Sequence, residues 1–120
     1  MNKNYKVLIV EDETIIALCL KGELESLGFE VLEPVATGEE ALKIINSECP
    51  TLILLDIRLA GGMSGLDVAK AEECKDKSKL IIFMTGYITP EIKEMALQLN
   101  PIGFLEKPVE VSDILKLLEK

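Results

Sequence analysis

Residues 52–58 read Leu52-Ile53-Leu54-Leu55-Asp56-Ile57-Arg58, an almost solid apolar run interrupted by one acid. A strand with one face in water alternates apolar and polar side chains. A run that is apolar at every position is covered on both faces, as in a parallel sheet flanked by helices. Leu80–Met84 has the same character and leads into Thr85-Gly86. Further out, Val7–Val10 ends in Glu11-Asp12, and Gly103–Leu105 ends in Glu106-Lys107-Pro108. Val31–Val35 carries Glu33 and Pro34 inside it, which suits an edge strand because proline cannot donate to a ladder.

Segments with helical spacing lie between these runs. Ile92, Met95, Ala96 and Leu99 fall at i, i+3, i+4, i+7, and Val111, Ile114, Leu115 and Leu118 repeat the pattern. Ile15, Leu18 and Cys19, followed by Leu24 and Leu27, read as the core face of a first helix near 14–27, stopped by Gly28. Thr37 before Gly38, Glu39 and Glu40 is a capping-box pattern for a helix near 38–47. Ser64 or Gly65 starts a helix near 65–75, and Thr89-Pro90 pairs an N-cap with proline at the first helical position. Five strands alternating with five helices imply an α/β fold: one doubly wound, flavodoxin-like parallel sheet, helices on both faces, joined by right-handed crossovers. With an edge-like second strand the expected order is 2-1-3-4-5, and the site belongs outside the carboxyl ends of the strands, where the order reverses.

The chain has 120 residues, one domain (1–120) by length, with 21 Asp plus Glu against 13 Lys plus Arg, no His and a formal net charge of -8. Without His, a Ser-His-Asp or Cys-His enzyme is excluded. The acidic balance disfavours nucleic acid, whose binding relies on Lys and Arg neutralising phosphates. A divalent cation, by contrast, wants carboxylates. Cys19, Cys49 and Cys74 are widely spaced and form no CxxC, which suits free thiols in a reducing cytoplasm. No apolar run reaches the ~18 residues of a membrane span. Met1 to Lys6 has no signal-peptide layout, so a soluble cytoplasmic module is expected.

The strand ends carry the chemistry. Alone, Glu11-Asp12 reads as acids near a helix start, Asp56 as a turn residue, Thr85 as a cap and Lys107 as a solvated charge. Together, in the proposed order, they converge on one edge of the sheet. Three carboxylates repel one another and need a counter-charge, and Mg²⁺ (or Mn²⁺ in its place) binds through carboxylates while keeping waters for phosphate oxygens. Asp56, on the central strand, is the natural nucleophile, since carboxylates form aspartyl-phosphates. Phosphoryl transfer needs mainly positioning and neutralisation of the equatorial oxygens, which Mg²⁺, Lys107 and the Thr85 hydroxyl would share.

Four pieces in this order, VLIVEDE (7–13), LILLDIRLAGGMSGLDVA (52–69), IIFMTGY (81–87) and GFLEKPVEVSDIL (103–115), make the chain resemble the receiver domain of two-component response regulators over essentially its whole length. The resemblance implies that Asp56 is the phosphoacceptor and that Glu11, Asp12, Asp56 and the backbone carbonyl of Arg58 hold Mg²⁺. It also implies that Thr85 and Lys107 sense the phosphoryl group, that Thr85 and Phe104 form the switch, and that Lys107-Pro108 is a cis peptide. Relatives often carry Tyr where Phe104 stands. The loop Leu59-Ala60-Gly61-Gly62-Met63-Ser64-Gly65 departs from the family pattern. It is one residue longer and has Ala60 in place of a proline, so a looser loop is expected. Arg58 and Tyr87, two residues after Asp56 and Thr85, are bulky and flank the expected path of hydrolytic water, which suggests a long-lived phosphoryl group.

The resulting expectation is a phosphorylation-dependent switch, not an enzyme. Its donor is a phosphohistidine on a histidine kinase or histidine phosphotransfer protein, and its downstream protein partner is unidentified. No contact with nucleic acid or membrane is expected. The family's surface around the fourth and fifth helices makes a homodimer an expectation of the resemblance alone. No output domain is visible within the 120 residues. The alternative is a Mg²⁺-dependent phosphatase or phosphotransferase with an aspartyl-phosphate intermediate. Such enzymes place a second Asp two residues after the nucleophile, where this chain has Arg58. A flavin or nucleotide carrier of the same topology would need a Gly- or Ser/Thr-rich loop after strand 1, and that loop is Glu11-Asp12-Glu13.

Overall fold

A computed structural model describes residues 5–71 and 79–119. In chain order the elements are β1 (Lys6–Val10), α1 (Thr14–Ser26), β2 (Glu30–Val31), α2 (Gly38–Glu48), β3 (Leu52–Asp56), α3 (Gly65–Ala71), β4 (Leu80–Thr85), α4 (Pro90–Leu97), β5 (Gly103–Glu106) and α5 (Val111–Leu118). The strands form one parallel sheet in the order β2-β1-β3-β4-β5. The expected α/β fold and strand order are therefore the ones observed.

Two cores follow from the strict alternation of a strand. Leu8, Val10, Ile53, Leu55, Ile81 and Phe83 point to one face, where Ala41, Ile45, Leu66, Val68 and Ala96 of α2, α3 and α4 cover them. Val7, Ile9, Leu52, Leu54, Ile82 and Met84 point to the other, under Ala17, Leu20 and Leu24 of α1 and Ile114 of α5. Every residue of β3 is buried, which is why its sequence reads as solid apolar.

Three expectations are corrected. Ile15, Leu18, Cys19 and Leu27 are exposed, and of the five residues read as the core face of α1 only Leu24 is buried. Helix α1 is apolar around most of its circumference, and the stripe that packs is Ala17, Leu20 and Leu24, set by how the chain leaves β1. The edge strand is Glu30–Val31, shorter and earlier than the apolar run; Glu33 and Pro34 interrupt it, and pairing resumes only as an isolated bridge between Val10 and Val35. The loop after β3 is tethered rather than loose, because Ala60 forms a parallel bridge with Thr37. Gly61, at φ +94°, adopts the left-handed backbone that its lack of a Cβ permits.

The caps behave as their side chains dictate. Thr37 Oγ1 accepts from the Glu40 amide and Thr89 Oγ1 from the Ile92 amide, both at 3.2 Å. Ser64, not Gly65, caps α3. The Asp67 amide donates to Ser64 Oγ at 3.2 Å while the Ser64 amide donates to Asp67 Oδ2 at 2.9 Å, a reciprocal capping box. The expected end of this helix near residue 75, and Cys74, lie outside the described residues.

Candidate functional site at the carboxyl edge of the sheet

Strands β1 and β3 are neighbours in register, Val10 beside Leu55, so the residues that follow them come out side by side. One carboxylate oxygen each from Glu11, Asp12 and Asp56 lies within 4.8 Å of the others. Glu11 and Asp56 are each 2% exposed, whereas Asp12 faces solvent. The geometry thus gives a buried pair of acids opened to water through a third.

Lys107 enters from the end of β5. Its Nζ donates to Asp56 Oδ2 at 2.6 Å and stands 2.6 Å from Glu11 Oε1. Glu11 Oε1 and Asp56 Oδ2 thus share one ammonium at equal distance. Burial alone would lower the Lys107 pKa. Hydrogen bonds and charge from Asp56 and Glu11 outweigh burial and hold it above its usual value. The remaining oxygens are held by backbone. Glu11 Oε2 accepts from the Glu13 amide at 3.0 Å, and Asp56 Oδ1 from the Arg58 amide at 3.1 Å. The Lys107 amide donates to the Thr85 carbonyl at 2.7 Å, fixing the turn that carries the lysine, and the Lys107–Pro108 peptide is cis.

Thr85 ends β4 beside β3 and is fully buried. Its hydroxyl donates to the Tyr87 carbonyl at 2.9 Å and accepts from the Tyr87 amide at 3.3 Å. Phe104 on β5 is half-buried against Phe83, ring centroids 6.1 Å apart. The Arg58 guanidinium carbon lies 5.8 Å from the centroid of the Tyr87 ring. The sheet edge therefore brings together Glu11, Asp12, Asp56, Thr85 and Lys107, with Arg58 joined to Asp56 through its amide and Phe104 two residues before the end of β5.

The donor set suits a hard divalent cation. Three carboxylates against one ammonium leave a double negative charge, which a divalent cation would balance. The sequence reading took Gly65 only as a possible helix start and missed its approach to the acceptor's backbone. A Cβ there would collide with the Asp56 carbonyl oxygen and lie 2.9 Å from Ile57 Cα, so glycine lets α3 start directly against the end of β3. A glycine immediately after a capping serine was the available signal.

The response regulator receiver domain family model matches residues 7–119. Sporulation initiation phosphotransferase F of Bacillus subtilis is 29% identical over 117 residues, covering 98% of this chain and 93% of that protein. The positive alginate biosynthesis regulatory protein of Pseudomonas aeruginosa is 40% identical over 118 residues, and the chain spans only 46% of its length. Among solved structures, a CheY-like response regulator receiver domain protein from Methanospirillum hungatei superposes with a TM-score of 0.86 at 32% identity, covering 96% of this chain and 90% of that one.

Proposed function

This chain belongs to the response regulator receiver domain family, the phosphorylation-dependent switches of two-component systems, and we propose that Asp56 is its phosphoacceptor. One observation carries the assignment. Asp56 is the single acid on the central strand that shares its site both with neighbouring carboxylates and with the partly buried ammonium of Lys107.

Glu11, Asp12, Asp56 and the carbonyl of Arg58 would hold Mg²⁺, which supplies charge neutralisation for the phosphoryl oxygens. The carboxylate of Asp56 attacks the phosphorus of a phosphohistidine; the new O–P bond forms as the P–N bond breaks, and the electron pair stays with the imidazole. Asp56 enters as an ionised nucleophile, so no general base is required. Lys107, already within 2.6 Å of Asp56 Oδ2, pairs with a phosphoryl oxygen, and the Thr85 hydroxyl takes another. Relocation of Thr85 leaves space that Phe104 occupies, and the altered surface is read by a downstream protein.

Helix α1 supports a protein donor. Ile15, Ile16 and Leu18 are exposed on this helix, and an apolar groove of about 500 Å³ runs from Ile15 and Ile16 to Lys107 and Val109. Exposed apolar surface of this kind is characteristic of protein contact. We place the donor, a histidine kinase or phosphotransfer protein, on this face. The exposed thiols Cys19 and Cys49 suit a cytoplasmic setting, and no helix among the described residues is long and apolar enough to cross a membrane. By family resemblance, a second copy would pack on the surface around α4, β5 and α5. The module signals by changing partners rather than by turning over a substrate.

The test is incubation with acetyl phosphate and MgCl₂, read by intact mass. Wild type gains one phosphoryl group, and Asp56→Asn gains none. Equal labelling of the two proteins overturns the assignment.

A further inference from the structure

The Thr85 hydroxyl has one proton, so to donate to a phosphoryl group on Asp56 it must give up its bond to the Tyr87 carbonyl. This buried hydroxyl both donates to the Tyr87 carbonyl at 2.9 Å and accepts from the Tyr87 amide at 3.3 Å. The position of that backbone therefore decides whether the hydroxyl is available. Tyr87 itself is 63% exposed, so burial does not fix it. The contact found on its ring is with Arg58, 5.8 Å from guanidinium carbon to ring centroid, within the reach of a cation–π interaction. Arg58 is tied in turn to the acceptor, its amide donating to Asp56 Oδ1 at 3.1 Å. The four residues form a closed circuit, from Asp56 through Arg58 and Tyr87 to Thr85 and back across the β3–β4 pairing.

We propose that the Arg58–Tyr87 stack is a latch that holds Thr85 away from Asp56 in the unphosphorylated state. The proposal rests on Asp56 and Thr85 having the roles assigned above. Both ends of the latch respond to a phosphoryl group. New anionic oxygens on Asp56 attract the Arg58 guanidinium, a strong phosphate partner, away from the ring. They also replace the carboxylate oxygen that the Arg58 amide now holds. Release of the ring frees the Tyr87 backbone, and the Thr85 hydroxyl is exchanged from that backbone to the phosphoryl group. The stack thus biases a two-state element toward its resting form, and a ligand for the other form binds more weakly by the factor the latch imposes.

The probe is beryllofluoride, which binds a carboxylate as a phosphoryl mimic, titrated calorimetrically at saturating Mg²⁺. Tyr87→Leu removes the ring but keeps the backbone that Thr85 uses, and should tighten binding by about 2- to 5-fold, the range set by an exposed cation–π contact. Tyr87→Phe keeps the stack and should match wild type. In an Arg58→Ala background, Tyr87→Leu should change nothing further. Unchanged or weaker binding by Tyr87→Leu, equal behaviour of the Leu and Phe variants, or tightening that persists without Arg58 would each overturn the latch. The underlying assignment fails separately: a wild type that does not bind beryllofluoride, or an Asp56→Asn variant that binds it equally well, removes the phosphoacceptor and the latch together.

Discussion

Lys107 Nζ donates to Asp56 Oδ2 at 2.6 Å across 51 residues of sequence. The same nitrogen lies 2.6 Å from Glu11 Oε1, so one ammonium links the ends of β1, β3 and β5. Both carboxylates are almost fully buried, which makes the lysine their principal counter-charge within the protein.

Removing that ammonium should destabilise the metal-free fold more than the metal-loaded one. Breaking one side of a buried ion pair typically costs about 3–5 kcal/mol, because an uncompensated charge remains. Lys107→Ala leaves Glu11 and Asp56 facing each other, and Mg²⁺ supplies a replacement charge whose binding adds to stability. Urea unfolding with and without Mg²⁺ measures this. The variant should recover much of its loss when Mg²⁺ is present; an identical loss in both conditions contradicts the arrangement.

Gly65→Ala should displace the acceptor. The added methyl meets the carbonyl of Asp56 and the Cα of Ile57, backbone atoms that move only if α3 shifts away from β3. Overpacking of this sort costs about 1–3 kcal/mol. Chemical unfolding gives the stability loss, and labelling by acetyl phosphate should slow as well. A variant with wild-type stability and labelling would show that the helix start tolerates a Cβ.

The two stripes of α1 should separate stability from partner recognition. Leu24 is fully buried, and Leu24→Ala should cost about 2–5 kcal/mol. Ile15 is 78% exposed, and Ile15→Ala should stay within about 0.5 kcal/mol of wild type. The Ile15 variant should nonetheless accept phosphate more slowly from a protein donor while labelling normally with acetyl phosphate. Equal slowing with both donors would argue against α1 as the docking face.

The cap of α3 sets an acid limit on stability. Hydrogen bonding from the Ser64 amide is the main cause that holds the Asp67 carboxyl below its ordinary value of 3.8, with the Ser64 hydroxyl and Lys70 adding to it. A depressed folded-state value means the contribution is fully present above 3.8 and is lost as pH falls through the lower, folded-state value. The difference in urea midpoint between wild type and Asp67→Ala should hold steady from neutral pH down to the ordinary value and shrink below it. A constant difference through that acid window would contradict the cap.

What was legible in the sequence, and what was not, divides along physical lines. Solid apolar strands ending in acids could be read because burial on both faces leaves no polar position before the strand leaves the core. Asp56 and Glu11 stand out for that reason. The face of α1 could not be read, because Ile15, Ile16, Leu18 and Cys19 make a second apolar stripe beside Ala17, Leu20 and Leu24. Periodicity gives the spacing of a stripe, whereas the phase is set by the exit from β1. The tether between Thr37 and Ala60 and the stack of Arg58 on Tyr87 depend on loops meeting in space, for which neighbouring residues carry no pattern. Gly65 lies between these cases, a visible glycine whose reason is the backbone it approaches.

The central claim is that the carboxylate of Asp56 becomes an acyl phosphate only when Mg²⁺ is held beside it. Borohydride reduces such an acyl phosphate to an alcohol, converting the phosphorylated aspartate to homoserine, which peptide mass mapping locates. After treatment with acetyl phosphate and Mg²⁺, homoserine should appear at position 56 and at no other acid, and chelation of the metal beforehand should abolish it. Homoserine at Glu11, Asp12 or elsewhere in place of Asp56, or undiminished conversion without Mg²⁺, would contradict the account.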